Sequence, residues 1–254
     1  MRARSFLKLR SRRVRRRWFI VAGLVLSVTI TLVLMGLMLT RGVPIWWRSV
    51  SSDDPRTREL GESLENGVVR QFSAVREPDP DSPHAWRSKP WAVSLHASDA
   101  NAWVATRLPK WLANQERGVA WPGEISEVQI EFADEAVKVG MRVRVRGRDQ
   151  VLSAEVVPEI RADGSLWMPA TWVRVGRLPV PASWVLERAQ EGGGLLPRAV
   201  LELPETREMF DIFLGRRPVV HEAIIGVDDA RRVRLLKVVP RDGRLELTAR
   251  TEAR

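Results

Sequence analysis

Ile125-Ser-Glu-Val-Gln-Ile-Glu-Phe-Ala-Asp-Glu-Ala-Val-Lys-Val-Gly-Met-Arg-Val-Arg-Val145 is the stretch whose reading decides the fold. Val128, Ile130 and Phe132 alternate with polar residues. After Asp134-Glu135 the alternation resumes with Val137, Val139, Met141, Val143 and Val145. A period of two puts one row of side chains on each face of a strand. With Asp134-Glu135 as a two-residue turn, Phe132 faces Val137, Ile130 faces Val139 and Val128 faces Met141. On the other face Glu131 meets Lys138 and Glu127 meets Arg142. One register satisfies both faces, which predicts an antiparallel hairpin. The row Arg142, Arg144, Arg146 reads as the solvated face of that hairpin in preference to an anion site.

Downstream, a third strand is expected over 150–161 and a fourth over 165–175, joined by Ala162-Asp163-Gly164. Pro158 and Pro169 mark edges or bulges. Gly176-Arg-Leu-Pro-Val-Pro181 is expected to leave the sheet. A short helix over 182–191 would stop at Gly192-Gly193-Gly194. Pro204 opens a helix to about Leu214, and strands return near 218–226, 231–240 and 244–251. The last two turn at Asp242-Gly243, pairing Pro240 with Leu245, Val238 with Leu247 and Leu236 with Ala249.

Upstream, Asp54-Pro55 has the form of a helix cap followed by proline in the first turn. Leu60, Leu64, Val68, Phe72 and Val75 follow at helical spacing and predict a helix over 55–76. Residues 77–90 hold four prolines and read as a loop. Trp91–Leu95 reads as a short strand. Ser98-Asp99 begins a helix to about Gln115 with Val104, Leu108 and Leu112 on one face, Trp103 and Trp111 beside it, and Pro109 placed to kink it. Meanders interrupted by helices, without a βαβ rhythm, make the class α+β.

The N-terminal part has a different character. Trp18 to Leu39 is 22 residues without a charge. As a helix it would measure about 33 Å, enough for a hydrocarbon core of roughly 30 Å. The 17 residues before it carry nine cations and no acid. Basic residues beside a span stay on the cytoplasmic side. The expected organisation is therefore a basic cytoplasmic tail (1–17), a single transmembrane helix (18–39), a juxtamembrane linker (40–54) and one extracytoplasmic domain (55–254). The expected location is the inner (cytoplasmic) membrane. Arg15, Arg16, Arg17, Trp18, Trp46 and Trp47 would lie at its two interfaces; packing of the Trp pair on the outer domain is the alternative. The apolar run exceeds the 7–15 residues of a cleaved leader and no small-x-small site follows.

The formal charge of +10 points first to nucleic acid. Without the basic tail, 32 basic residues face 31 acidic ones, so the surplus is local and no nucleic-acid partner is expected. The tail instead suits anionic headgroups. The absence of Cys excludes disulfides and thiolate chemistry.

No catalytic motif is present. His84, His96 and His221 stand at no metal-binding spacing. There is no nucleophile elbow and no phosphate loop, and Gly192-Gly193-Gly194 lacks the following Lys. No metal or cofactor is expected. The excess of Trp, 11 with no Tyr, reads mostly as core. A sharper reading places Trp103, Val104, Leu108 and Trp111 opposite Ile130, Phe132, Val139, Met141 and Val143 as an apolar groove for a lipid.

Ser98-Asp-Ala-Asn101-Ala-Trp-Val-Ala105 resembles a helix start in the YpmS-like conserved membrane proteins. Gly176-Arg-Leu-Pro-Val-Pro181 is similar to the motif that ends their meander. The likeness spans roughly residues 18–190 and departs at the Pro-rich 77–90 and in the C-terminal hairpin region. It implies an extracytoplasmic module, related to tubular lipid-binding folds, with no site residues to carry over. The function expected is a non-catalytic binding domain for an apolar ligand or an envelope partner. The alternatives are a tethered hydrolase using a carboxylate pair and a structural subunit of an envelope assembly.

Overall fold

The Asp134-Glu135 hairpin forms in the register that its two faces demand. In the computed structural model, which describes residues 24, 26–82, 86–114, 121, 123–145, 147–184, 187 and 204–254, β2 (Ile125–Ala133) pairs with β3 (Ala136–Val145). The pairs are Phe132↔Val137, Ile130↔Val139, Val128↔Met141, Glu131↔Lys138 and Glu127↔Arg142. Glu135 takes the left-handed turn position at φ 63°.

Two antiparallel sheets grow from such hairpins. β4 (Arg148–Val156) joins β3, followed by β7 (Ala170–Val175) and β8 (Leu178–Pro181), giving a five-stranded sheet in the order β2-β3-β4-β7-β8. The expected long third and fourth strands are each interrupted. Pro158 and Pro169 withhold a ladder donor, and between them a small separate hairpin forms from β5 (Glu159–Ile160) and β6 (Leu166–Trp167). Residues 178–181 do not leave the sheet: Gly176-Arg177 is a tight turn, Gly176 at φ 62°, and β8 returns against β7. The second sheet has the order β1-β11-β10-β9, from β1 (Trp91–His96), β9 (Ile224–Gly226), β10 (Arg231–Arg241) and β11 (Arg244–Ala253). Pro240↔Leu245 and Val238↔Leu247 are as predicted, but a bulge between Leu235 and Lys237 gives Ala249 to Leu235 instead of Leu236.

The helices follow their caps. The described part of α1 is residue 24 and residues 26–41. α2 (Pro55–Ser73) begins where Asp54 accepts from the Arg56 N–H, and it ends at Ser73, short of the expected 76. The helix expected over 98–115 is broken at Arg107 into α3 (Ala97–Thr106) and α4 (Leu108–Ala113), with Pro109 in the first turn of the second. Residues 182–184 and 187 are helical; the rest of the expected 182–191 helix and Gly192–Gly194 lie outside the described residues. α5 is Pro204–Phe213.

The expected membrane span is overturned. Among the described residues no helix is long and apolar enough to cross a membrane. The single-pass transmembrane helix over 18–39, with the signal-anchor and membrane reading built on it, is corrected accordingly. The described part of this helix is residue 24 and residues 26–41. It runs beyond the expected end at Leu39 as far as the charged Arg41. Most of its side chains, among them Leu32, Leu34 and Met38, are exposed. Residues 1–23 and 25, with Arg15, Arg16, Arg17 and Trp18, lie outside the described residues.

The core lies where α3 meets the apolar faces of the sheets. Ala97, Ala100, Phe132, Val137 and Val156 are buried together, with Leu95, Ile130, Val139 and Leu245 packed around them. Phe132, 3 % exposed, contributes about 2–3 kcal/mol by its burial. A second cluster joins Trp91, Val233 and Ala249 under Phe72 of α2. Phe72 meets the Trp91 ring edge-on at 5.6 Å.

Candidate functional site

The residues proposed for an apolar groove are largely packed. Phe132, Ile130 and Val139 belong to the main core, and Val143 is fully buried. Val104 is buried on α3, and Met141 and Leu108 are half-buried. Trp103 and Trp111 meet each other at 6.4 Å, and Trp111 is half exposed. Of the nine, Ile130 also borders an open cavity.

That cavity, of about 620 Å³, lies at a junction of five elements. Its walls are α2 (Asp54 cap, Arg56, Thr57, Leu60), the start of α3 (His96, Ser98, Asn101), β2 (Gln129, Ile130, Glu131), the β10–β11 turn (Asp242, Gly243) and the segment Trp46–Val50. Each wall is fixed by hydrogen bonds of its own. Asn101 donates to the Ile130 carbonyl at 2.7 Å and accepts from the Ile130 N–H at 2.7 Å, so it covers the edge of β2 as a neighbouring strand would. The Gly243 N–H donates to the Phe132 carbonyl at 2.8 Å, and the Ala97 N–H donates to the Gly243 carbonyl at 3.0 Å. α2 lies so close to α3 that a Cβ on Gly61 would meet the Ala102 carbonyl oxygen at 3.1 Å.

The fifth wall is a strap, residues 42–50, laid over the polar face of the five-stranded sheet. It leaves α1 where the Arg177 N–H, in the β7–β8 turn, donates to the Leu39 carbonyl at 2.7 Å. Arg177 Nε donates to the Val43 carbonyl at 2.7 Å. Further along, the Arg48 N–H donates to Gln129 Oε1 at 2.9 Å and Gln129 Nε2 donates back to the Arg48 carbonyl. Gln129 is thus buried with both ends of its amide occupied, which removes the cost of sinking a polar group. Ser49 Oγ and the Val50 N–H donate to Glu127. The Trp46 and Trp47 rings, 5.7 Å apart, press on Gly140. Of the two readings offered for this Trp pair, its position is that of packing on the sheet: Trp47 is buried.

The polar side chains of the cavity are of both signs. Arg48, Arg56 and His96 line it together with Asp54, Glu131 and Asp242. Asp54 is already engaged, accepting from the Arg56 N–H at 3.2 Å and from Thr57 Oγ1 at 3.1 Å. His96 sits at the cap position of α3 without a side-chain cap bond. His221 is exposed, and His84 lies outside the described residues. Among the described residues no group of three metal-ligating side chains converges. In the arginine row, Arg142 pairs with Glu127 at 3.4 Å and Arg144 with Asp149 at 3.2 Å; Arg146 lies outside the described residues.

Reading the residues alone missed Arg48, Asn101, Gln129 and Gly140 as a set. The one local signal was Gly140: a glycine inside a strand marks a close approach by something else. No protein-family model, no curated protein and no solved structure matches the chain. Of the two stretches quoted for the YpmS-like resemblance, Ser98–Ala105 lies in α3 and Gly176–Pro181 makes the β7–β8 turn and β8.

Proposed function

We propose that this chain is a non-catalytic binding module, and that the cavity beneath α2 holds a small amphipathic ligand with an anionic head. The observation that carries the reading is the cavity itself. Its volume of about 620 Å³ falls in the range of small-molecule sites. Trp46, Leu60 and Ile130 give it apolar wall, while Arg48, Arg56 and His96 offer cationic or hydrogen-bonding groups for a head. The nine residues first expected to line a lipid groove mostly fill the core, so the occupant belongs in this junction and not between α3 and the sheet.

Dodecanoate is a suitable probe, titrated into the full chain and followed by Trp fluorescence and native mass spectrometry. Saturable binding with one site is expected. The Arg48→Ala, Arg56→Ala double variant should weaken it, because both side chains are exposed and only their backbones hold structure. Ser98→Trp, which plugs the exposed mouth, should abolish it. Absence of a saturable signal below about 1 mM, or equal binding by both variants, rejects the proposal.

A further inference from the structure

The four-stranded sheet carries an unfinished edge beside a cationic face. Residues 86–88 extend the line of β1 along β11: the Ala253 N–H donates to the Trp86 carbonyl at 2.9 Å and the Ser88 N–H to the Thr251 carbonyl at 2.8 Å. Their outer side is covered by residues 78–79, where the Asp79 N–H donates to the Arg87 carbonyl at 2.7 Å and Pro78 bridges Ser88. That cover stops at Pro90. β1 then runs from Trp91 to His96 bonded to β11 on one side, and among the described residues its other side has no backbone partner. Alternate N–H and C=O groups of such an edge point outward. At the point where the cover ends there is an open cavity of about 590 Å³ between Val75, Pro78, Lys89 and Trp91.

The register sorts charge onto the face opposite the core. Arg232↔Glu252, Arg234↔Arg250, Lys237↔Thr248, Val239↔Glu246 and Arg241↔Arg244 share that face. Six cations therefore stand among two carboxylates. Glu252 serves both Arg232 (3.5 Å) and Arg234 (3.1 Å), and Glu246 serves both Arg241 (3.3 Å) and Arg244 (2.9 Å). Lys237 and Arg250 have no acid among the described residues, and Arg250 Nε is buried without a hydrogen-bond partner. On β1 this face shows only the small Ala92 and Ser94 ahead of His96. A strand seated beside β1 would be about 10 Å from β11, with nothing bulky over Ala92 or Ser94 to keep long arginines from it. On the inner face Val93 and Leu95 are half-buried.

We propose that the β1 edge is a docking site for an extended acidic segment of a partner protein, which adds as a fifth strand with apolar residues inward and carboxylates toward Arg244 and Arg250 of the adjoining β11. Main-chain bonds supply affinity in such strand addition and alternate side chains supply selectivity. The face lacks the aromatic platforms on which nucleic-acid bases stack. The β1 edge is a different surface from the ligand cavity, to which it contributes His96 alone, and binding at one can fail without the other.

The test is fluorescence anisotropy of a labelled peptide of alternating glutamate and valine, titrated with the full chain. Saturable binding is expected, at least about tenfold weaker for the lysine–valine counterpart and for the Arg250→Glu variant. A peptide N-methylated at alternate residues, its outward donors blocked, should not bind, and this control leaves the protein unaltered. Ser94→Pro should also abolish binding. Absence of saturation, equal binding of the lysine or N-methylated peptide, or displacement by oligothymidylate at equal concentration would overturn the assignment. So would a dimer in sedimentation that Ser94→Pro dissolves, which would give the edge to a second copy of the chain.

Discussion

Asn101 and Ile130 are joined by two hydrogen bonds through one side chain, each 2.7 Å long. The amide of Asn101 imitates a peptide unit, donating to the carbonyl and accepting from the N–H of the same residue on β2. It also donates to the Ala97 carbonyl one turn back at 2.8 Å, which fixes its direction on α3. Helix and sheet are locked together at the wall of the cavity.

Asn101→Ala removes both bonds and leaves the Ile130 backbone groups without their partner. A loss of about 2–3 kcal/mol in urea unfolding is expected. Asn101→Asp should be no better, since the carboxylate faces the Ile130 carbonyl and has no proton to offer. A change below about 0.5 kcal/mol in either variant would mean that water replaces the side chain there.

Gly140→Ala tests the strap. An added Cβ would stand 2.8 Å from Trp47 Cζ3 and 2.9 Å from Trp46 Cη2. One or both rings must then lift from the sheet, at a cost of about 1–3 kcal/mol. Thermal unfolding should report the loss, and Trp emission should shift to the red as Trp47 meets water. An unshifted spectrum with an unchanged Tm would show that the rings do not rest on Gly140.

The parts of the fold that were legible in advance are those whose information is local and doubled. The β2–β3 register was fixed because apolar and charged faces required the same pairing. The β10–β11 register failed at Leu236 because a bulge changes which residue faces the core without changing the turn. The break at Arg107 follows from Pro109, but its position depends on where a new first turn can begin. The strap was invisible, since Arg48 and Gln129 stand 81 residues apart and bond through a backbone that has no sequence signature. The apolar run at 18–39 was read by composition alone; within the described residues 26–41 it ends as a helix tied by Leu39 to the β7–β8 turn.

Glu135 holds the left-handed turn position of the best-read hairpin. A residue with a Cβ is strained there, and glycine is not. Its N–H, which donates to the Pro240 carbonyl at 3.3 Å, survives the change to glycine. Glu135→Gly should therefore stabilise the protein by up to about 1 kcal/mol, the relieved strain less the added freedom of the unfolded chain. Chemical unfolding would check it, and a destabilised variant would show that the Glu135 side chain contributes more than its backbone costs.

Asp228 gives the expected pH response. The Arg231 guanidinium, at 2.6 Å, holds its carboxyl below the usual 3.8, assisted by the N–H groups of Ala230 and Arg231. Asp163 is lowered likewise, by the Ser165 hydroxyl and N–H in the β5–β6 turn. A carboxyl whose folded value is depressed contributes stability that is complete above its unfolded value and is lost as pH falls through the folded one. Both turns should therefore hold unchanged down to about pH 4 and loosen below it. Both groups are solvent-exposed, so the effect is screened by salt. Hydrogen exchange at the Arg231 and Ser165 amides, followed from pH 5 to pH 3 after correction for intrinsic rates, should show protection falling at each site. Asp228→Asn should flatten the profile at Arg231 alone; if Ser165 flattens with it, the acid response belongs to the whole domain and not to the two turns.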